Sequence, residues 1–220
     1  MQEDIPSICA QKLKFKQVEI GLVPVALLIE LDNYKLITDY CIGANGSVES
    51  VKLYSQVPLN EIKTVILDYQ SKSSVALTKV LDKFFWGTNF RFEDAVPGYE
   101  QLVGGNTAAV VIGDRTFAMN GTFKFEYDLS EEWKKFTGLP FVFAAWVINS
   151  EVNESIITEF NQCLKSGILN IDKAISESTE TYPAGFNPSD YLKNKIDYSL
   201  DDDKRKALEL FLSYIRKLKS

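Results

Sequence analysis

The chain carries ten consecutive apolar residues, Leu139 to Ile148, within the stretch TGLPFVFAAWVIN. A bilayer span needs roughly twenty such residues, so this run is too short to cross a membrane. Signal peptides have apolar cores of this length, but at the N-terminus. The run must therefore be covered by the rest of the chain. A strand buried on both faces reads as an unbroken apolar run of this kind, and Phe141 to Ile148 is expected to form one. A well-marked helix precedes it. Asp128 with Glu131 makes a capping-box-like start, Leu129, Trp133 and Phe136 form the apolar stripe, and Gly138 stands just past the end.

Upstream, strand and helix patterns alternate. A helix is expected from Pro6 or Ser7 to about Lys14, then a strand over Ile20 to Val23 that Pro24 stops. The stretch YKLITDYCIGANGSVESVKLYSQV reads as two strands around a hairpin turn at Asn45-Gly46. Thr64 to Tyr69 and Ala108 to Asp114 read as short buried strands. Between them, Ser71, Ser73 and Ser74 suit a helix N-cap, and Leu77, Val80, Leu81, Phe84 and Phe85 recur at helical spacing. Beyond the apolar run the chain turns helical. Ile156, Ile157, Phe160 and Leu164 share one face of a helix that should stop at Gly167. Asn187-Pro188 caps another, and Leu208, Phe211, Leu212, Ile215 and Leu218 line the last. This order predicts an α/β protein with mixed, mainly parallel sheets.

Composition removes several chemistries. The chain has no histidine, which excludes Ser–His and Cys–His nucleophile pairs and histidine bases or metal ligands. The net charge is −6 and the basic residues are dispersed among acids, so no nucleic-acid surface is indicated. Cys9, Cys41 and Cys163 are odd in number and widely spaced, which reads as buried thiols rather than a disulfide framework or a metal clip. Three loops stand out. In LDYQSKSSVAL, free N–H groups and the helix dipole at Ser73 and Ser74 would attract a carboxylate or phosphate, although the same serines serve as plain caps. In VVIGDRTF, Gly113 permits close backbone approach, Asp114 caps or turns, and Arg115 could pair with an anion but reads more readily as a solvated charge. Ser50 sits on a strand, where its hydroxyl needs a backbone or ligand partner.

Four motifs in order, SVESVKLYSQVPL, LDYQSKSSVAL, VIGDRTF and YDLSEEWKKFTGLPFVFAAW, resemble the chorismate dehydratases of the futalosine route to menaquinone. The resemblance runs from Asp4 to the final helix. It implies a two-lobed fold similar to type 2 periplasmic binding proteins, here cytoplasmic, with the ligand in the cleft. Lobe I would hold residues 1–55 and 151–220 and lobe II residues 56–150, with crossings near Tyr54–Leu59 and Ala145–Ser150. It further implies loss of water from chorismate to give 3-[(1-carboxyvinyl)oxy]benzoate, with Ser50, Ser73, Ser74, Gly113 and Asp114 lining the cleft. No cofactor or metal is expected, and no nucleic-acid or membrane partner. A sister family that makes dihydroxynaphthoate depends on a histidine base, which this chain lacks. The family opens with a strand and a Ser-Tyr-Leu-Asn-type motif whose Asn is catalytic, and nothing here matches it. The sequence is therefore expected to be N-terminally incomplete, and its catalytic residue is unassigned. The alternative implied by that departure is a non-catalytic binding or sensing module for a small aromatic carboxylate. In either case the apolar run would act as hinge and floor, and polar substitution at Phe143 or Trp146 would unfold the protein before altering specificity.

Overall fold

The computed structural model describes residues 4, 6–148, 150–183 and 185–219. In chain order its strands are β1 (Ile20–Pro24), β2 (Lys35–Ala44), β3 (Val51–Ser55), β4 (Thr64–Leu67), β5 (Arg91–Asp94), β6 (Thr107–Ile112), β7 (Phe125–Asp128), β8 (Phe141–Ile148) and β9 (Asp197–Ser199). The helices are α1 (Pro6–Lys14), α2 (Lys72–Leu81), α3 (Arg115–Met119), α4 (Leu129–Thr137), α5 (Glu154–Leu169), α6 (Ile171–Glu177), α7 (Pro188–Asp190) and α8 (Asp202–Lys219).

Two sheets result, one ordered β1-β8-β2-β9 and the other β5-β4-β6-β3-β7. The expectation of mainly parallel sheets holds only around β4, which pairs in parallel with β5 and β6. Every pairing of the first sheet is antiparallel, as are those of β3 with β6 and β7. Parallel neighbours need long crossovers between them. Between β4 and β5 the chain makes such a connection, which carries α2.

The expected hairpin does not form. Strand β2 is flanked by β8 and β9, so no edge is left for β3, which pairs with β6 and β7 instead. Gly46, at φ +114°, turns the chain from one sheet to the other. Sheet membership thus changes between Ala44 and Val51, and again between Asp128 and Phe141, ahead of the crossings expected near Tyr54–Leu59 and Ala145–Ser150.

The apolar run became β8, an inner strand between β1 and β2. Phe141, Val142, Ala145, Val147 and Ile148 are buried. Trp133 of α4 is fully buried beside it, with ring centroids 5.5 Å from Phe141 and 5.8 Å from Phe211 of α8. Its indole N–H donates to the carbonyl of Pro140 at 3.0 Å, so the one polar atom of the ring is satisfied. Leu208, Phe211, Leu212 and Ile215 complete the core face of α8. Each large apolar side chain buried this way contributes roughly 1.5–3 kcal/mol. Helix α5 behaves differently. It runs past Gly167 to Leu169, buries none of its residues, and leaves Ile156 51% exposed. It packs on β2, where Asn161 accepts from the N–H of Asp39 and donates to the carbonyl of Ile37.

Candidate active site

A cavity of about 1240 Å³ opens among α1, β1, β8, α5 and the start of α2. Its walls are mostly apolar. Phe143, Ala144 and Trp146 of β8 form part of them, with Phe160 of α5 packed edge-on against Trp146 at 4.8 Å. Phe143 and Trp146 are half-buried; both are cavity wall, and Phe143 also packs against the core.

Hydrogen-bonding groups gather where three loops meet. Ser50 lies just before β3, is 6% exposed, and lines the cavity. Its backbone carbonyl accepts from the N–H of Gly113 at 2.9 Å. Gly113 also lines the cavity and sits at φ +69°, a conformation that disfavours any side chain. The Ser50 hydroxyl accepts from the Tyr191 phenol at 2.7 Å. Burial pushes the Tyr191 phenol up, and the charges of Asp114, Asp128 and Glu49 reinforce the shift against the hydrogen bond to Ser50. The phenol therefore keeps its proton at neutral pH.

The segment carrying Ser50 is pinned from below. Asp128, the N-cap of α4, is 6% exposed. One carboxylate oxygen accepts from the Ser47 hydroxyl at 2.8 Å and from the N–H groups of Val48 at 2.9 Å and Glu49 at 2.6 Å. The other accepts from the N–H groups of Ser130 at 3.0 Å and Glu131 at 3.1 Å. Glu49 itself is held at φ +65° and pairs with Lys195 at 2.6 Å. The expected cap of α4 is thus also a clamp on the connection between the sheets.

At the start of α2 the three serines divide their duties. Ser71 is the N-cap and accepts from the N–H of Ser74 at 3.2 Å. The Ser71 and Ser74 hydroxyls lie 2.8 Å apart, and both residues line the cavity. One hydrogen bond between two hydroxyls uses one proton and leaves the other for a ligand. Ser73 faces the other way. Its hydroxyl donates to the Phe143 carbonyl at 2.8 Å and accepts from the N–H of Ala26 at 3.3 Å, tying α2 to β8. Asp114 is exposed, makes no cap bond to α3, and is not part of the cavity wall. Of the five residues expected at the site, the structure brings Ser50, Ser74 and Gly113 to the cavity and leaves Ser73 and Asp114 outside its lining.

Gln70, Ser71, Phe160 and Tyr191 are cavity residues that the sequence motifs did not single out as ligand contacts. Ser71 carried a local signal as a helix cap; Tyr191 carried none. Arg115 is no solvated charge. It pairs with Asp68, and with Glu100 at 2.5 Å, and lies over the rings of Tyr69 and Tyr99. Asp68 is 2% exposed and also accepts from the Tyr99 phenol at 2.6 Å and the N–H of Gln70 at 2.7 Å. A carboxylate this deep needs a countercharge. The cysteines are all free, but only Cys41 is buried; Cys163 is exposed, and Cys9 and Cys163 both border the cavity. Among the described residues no cluster of three or more acidic or cysteine side chains is placed to hold a metal ion. No described helix is long and apolar enough to cross a membrane.

The architecture is that of a periplasmic-binding-protein-like α/β fold. It superposes on the periplasmic aliphatic sulphonate binding protein of Escherichia coli with a TM-score of 0.55 at 10% identity, covering 99% of this chain and 75% of that one. A structural-genomics protein from Archaeoglobus fulgidus matches more closely, with a TM-score of 0.71 at 16% identity over 99% of this chain and 84% of that one. The chain belongs to the menaquinone biosynthesis family, whose model matches residues 1–217. A chorismate dehydratase from Thermus thermophilus is 28% identical over 218 aligned residues, covering 88% of this chain and 79% of the relative.

Proposed function

We propose that this protein binds chorismate in the cavity and eliminates water from it, giving 3-[(1-carboxyvinyl)oxy]benzoate for menaquinone by the futalosine route. The family match across residues 1–217 carries the reading, and the relative named chorismate dehydratase supports it. The site chemistry suits the substrate. Chorismate is a dianion, and a helix N-terminus with free hydroxyls takes a carboxylate without a basic surface. The start of α2, with Ser71 and Ser74, offers one such place; Ser50 and the backbone at Gly113 offer further contacts. The ring would lie against Phe143 and Trp146.

In the reaction a proton leaves C3 and the hydroxyl leaves C4, together forming water as the ring becomes aromatic. Aromatisation supplies much of the driving force. The protein's share is to hold the substrate in one orientation and to hydrogen-bond the departing hydroxyl, for which Ser and Tyr donors suffice. The proton acceptor is unassigned. The two sheets would form the two lobes, with the ligand held between them, in a cytoplasmic enzyme. Incubating purified protein with chorismate, and following the aromatic enol ether by absorbance and mass, tests the reading. Product formation supports it. Tight binding without turnover replaces it with a binding or sensing module, and absence of both overturns it.

A further inference from the structure

We propose that Tyr191 is a positioning residue of this site: its phenol fixes the Ser50 hydroxyl so that the Ser50 proton points at the bound ligand. The inference rests on the ligand site proposed above. Tyr191 and Ser50 are 141 residues apart, yet both line the cavity and share the 2.7 Å hydrogen bond. A serine hydroxyl has one proton and two acceptor lone pairs. Accepting from Tyr191 leaves the Ser50 proton free, and no described residue accepts it.

The phenol is held by more than this bond. Its ring stands edge-on to Phe117 of α3 at 5.1 Å and lies 5.6 Å from Phe186, while Phe117 and Phe186 are themselves 4.0 Å apart. Phe117 follows the same turn in which the N–H of Gly113 holds the Ser50 carbonyl. One cluster therefore grips Ser50 twice, by its backbone through Gly113 and by its side chain through Tyr191. The chain at Tyr191 is also irregular. Its carbonyl accepts from the N–H of Ile196, an i→i+5 bond, in the widened helical turn over Tyr191–Lys195. Such turns recur at functional sites because they re-aim a side chain at a cost in regular helix.

The test is a double-mutant cycle with Tyr191→Phe and Ser50→Ala, read in kcat/KM for chorismate or, should the protein bind without turnover, in Kd by the fluorescence of Trp146. Tyr191→Phe keeps the ring among Phe117 and Phe186, so Tm should stay at the wild-type value. The expected result is a loss of about tenfold in Tyr191→Phe, the scale of one well-placed hydrogen bond. Added to Ser50→Ala, the same change should cost nothing further. Wild-type behaviour of Tyr191→Phe, or a loss that adds in full to that of Ser50→Ala, overturns the positioning role alone. A loss that merely tracks a lowered Tm also overturns it. Wild-type protein that neither binds nor converts chorismate overturns the proposed function, and this inference with it.

Discussion

Helices α2 and α4 both start soon after a strand of the second sheet ends, and both open on a capping side chain, Ser71 in one and Asp128 in the other. At α4 the cap is a buried carboxylate that five donors saturate: two N–H groups of its own helix, two from residues 48 and 49, and the Ser47 hydroxyl. At α2 the cap is a hydroxyl that takes one N–H and one hydroxyl partner. A carboxylate has about four lone-pair sites and a hydroxyl two. The first arrangement closes on itself, and the second leaves a hydroxyl proton beside the cavity. What separates a structural cap from a binding one here is unspent hydrogen-bonding capacity facing open space.

Removing the saturated cap should have the largest effect. In Asp128→Ala, five donors lose their acceptor, and a buried donor left unpaired costs roughly 1–3 kcal/mol. Water can reach some of them, so we expect a loss of about 3–4 kcal/mol in urea unfolding, including about 1 kcal/mol for the helix cap itself. A loss below about 1 kcal/mol would show that the clamp between the sheets is not structural, and the comparison with α2 would collapse. Ser73→Ala comes next. Its hydroxyl bonds the Phe143 carbonyl and the N–H of Ala26 in a buried place, so the change should cost about 1–2 kcal/mol. Chorismate affinity should not move. A drop in affinity with unchanged stability would place Ser73 among the ligand contacts and erase the division of labour along α2.

That division marks the limit of what local sequence conveys. Caps, apolar stripes and the long apolar run are properties of neighbouring residues, so α4, Gly138 and β8 were legible with their bounds. Which way each serine of SKSS faces depends on how α2 is rotated against β8, a tertiary choice. The hairpin expected at Asn45-Gly46 failed for a related reason. The turn residues are right, but β8 and β9, nearly a hundred residues or more downstream, already flank β2. The stripe on α5 was legible as a helix, yet α5 buries none of its residues, packing on β2 and lending Phe160 to the cavity wall. Tyr191 lay beyond any local reading, because its meaning comes only from Ser50, 141 residues away.

Two further substitutions sharpen the contrast at α2 itself. Ser71→Ala removes the cap and should cost about 1 kcal/mol of stability while also weakening chorismate binding. Asp at the same position is the informative control. Ser71→Asp should cap the helix at least as well, but its charge would face the cavity proposed to hold a dianion, so stability should be retained and affinity lost. Retained affinity in Ser71→Asp would mean that no carboxylate sits near this end of α2.

Ser74→Ala should perturb the fold least. The Ser74 N–H that donates to Ser71 belongs to the backbone and survives the substitution. Only the hydroxyl pair with Ser71 is lost, and Ser71, freed of it, keeps a proton that can still turn toward a ligand. Stability should therefore fall by no more than about 0.5–1 kcal/mol, the low end for a neutral hydrogen bond. Affinity for chorismate should fall by about fivefold to tenfold, because one of the two hydroxyls proposed to meet a carboxylate is gone. Thermal unfolding and a binding titration on the same preparation separate the two quantities. Equal losses in Ser73→Ala and Ser74→Ala, in both measurements, would mean that the rotation of α2 does not decide which serine meets the ligand.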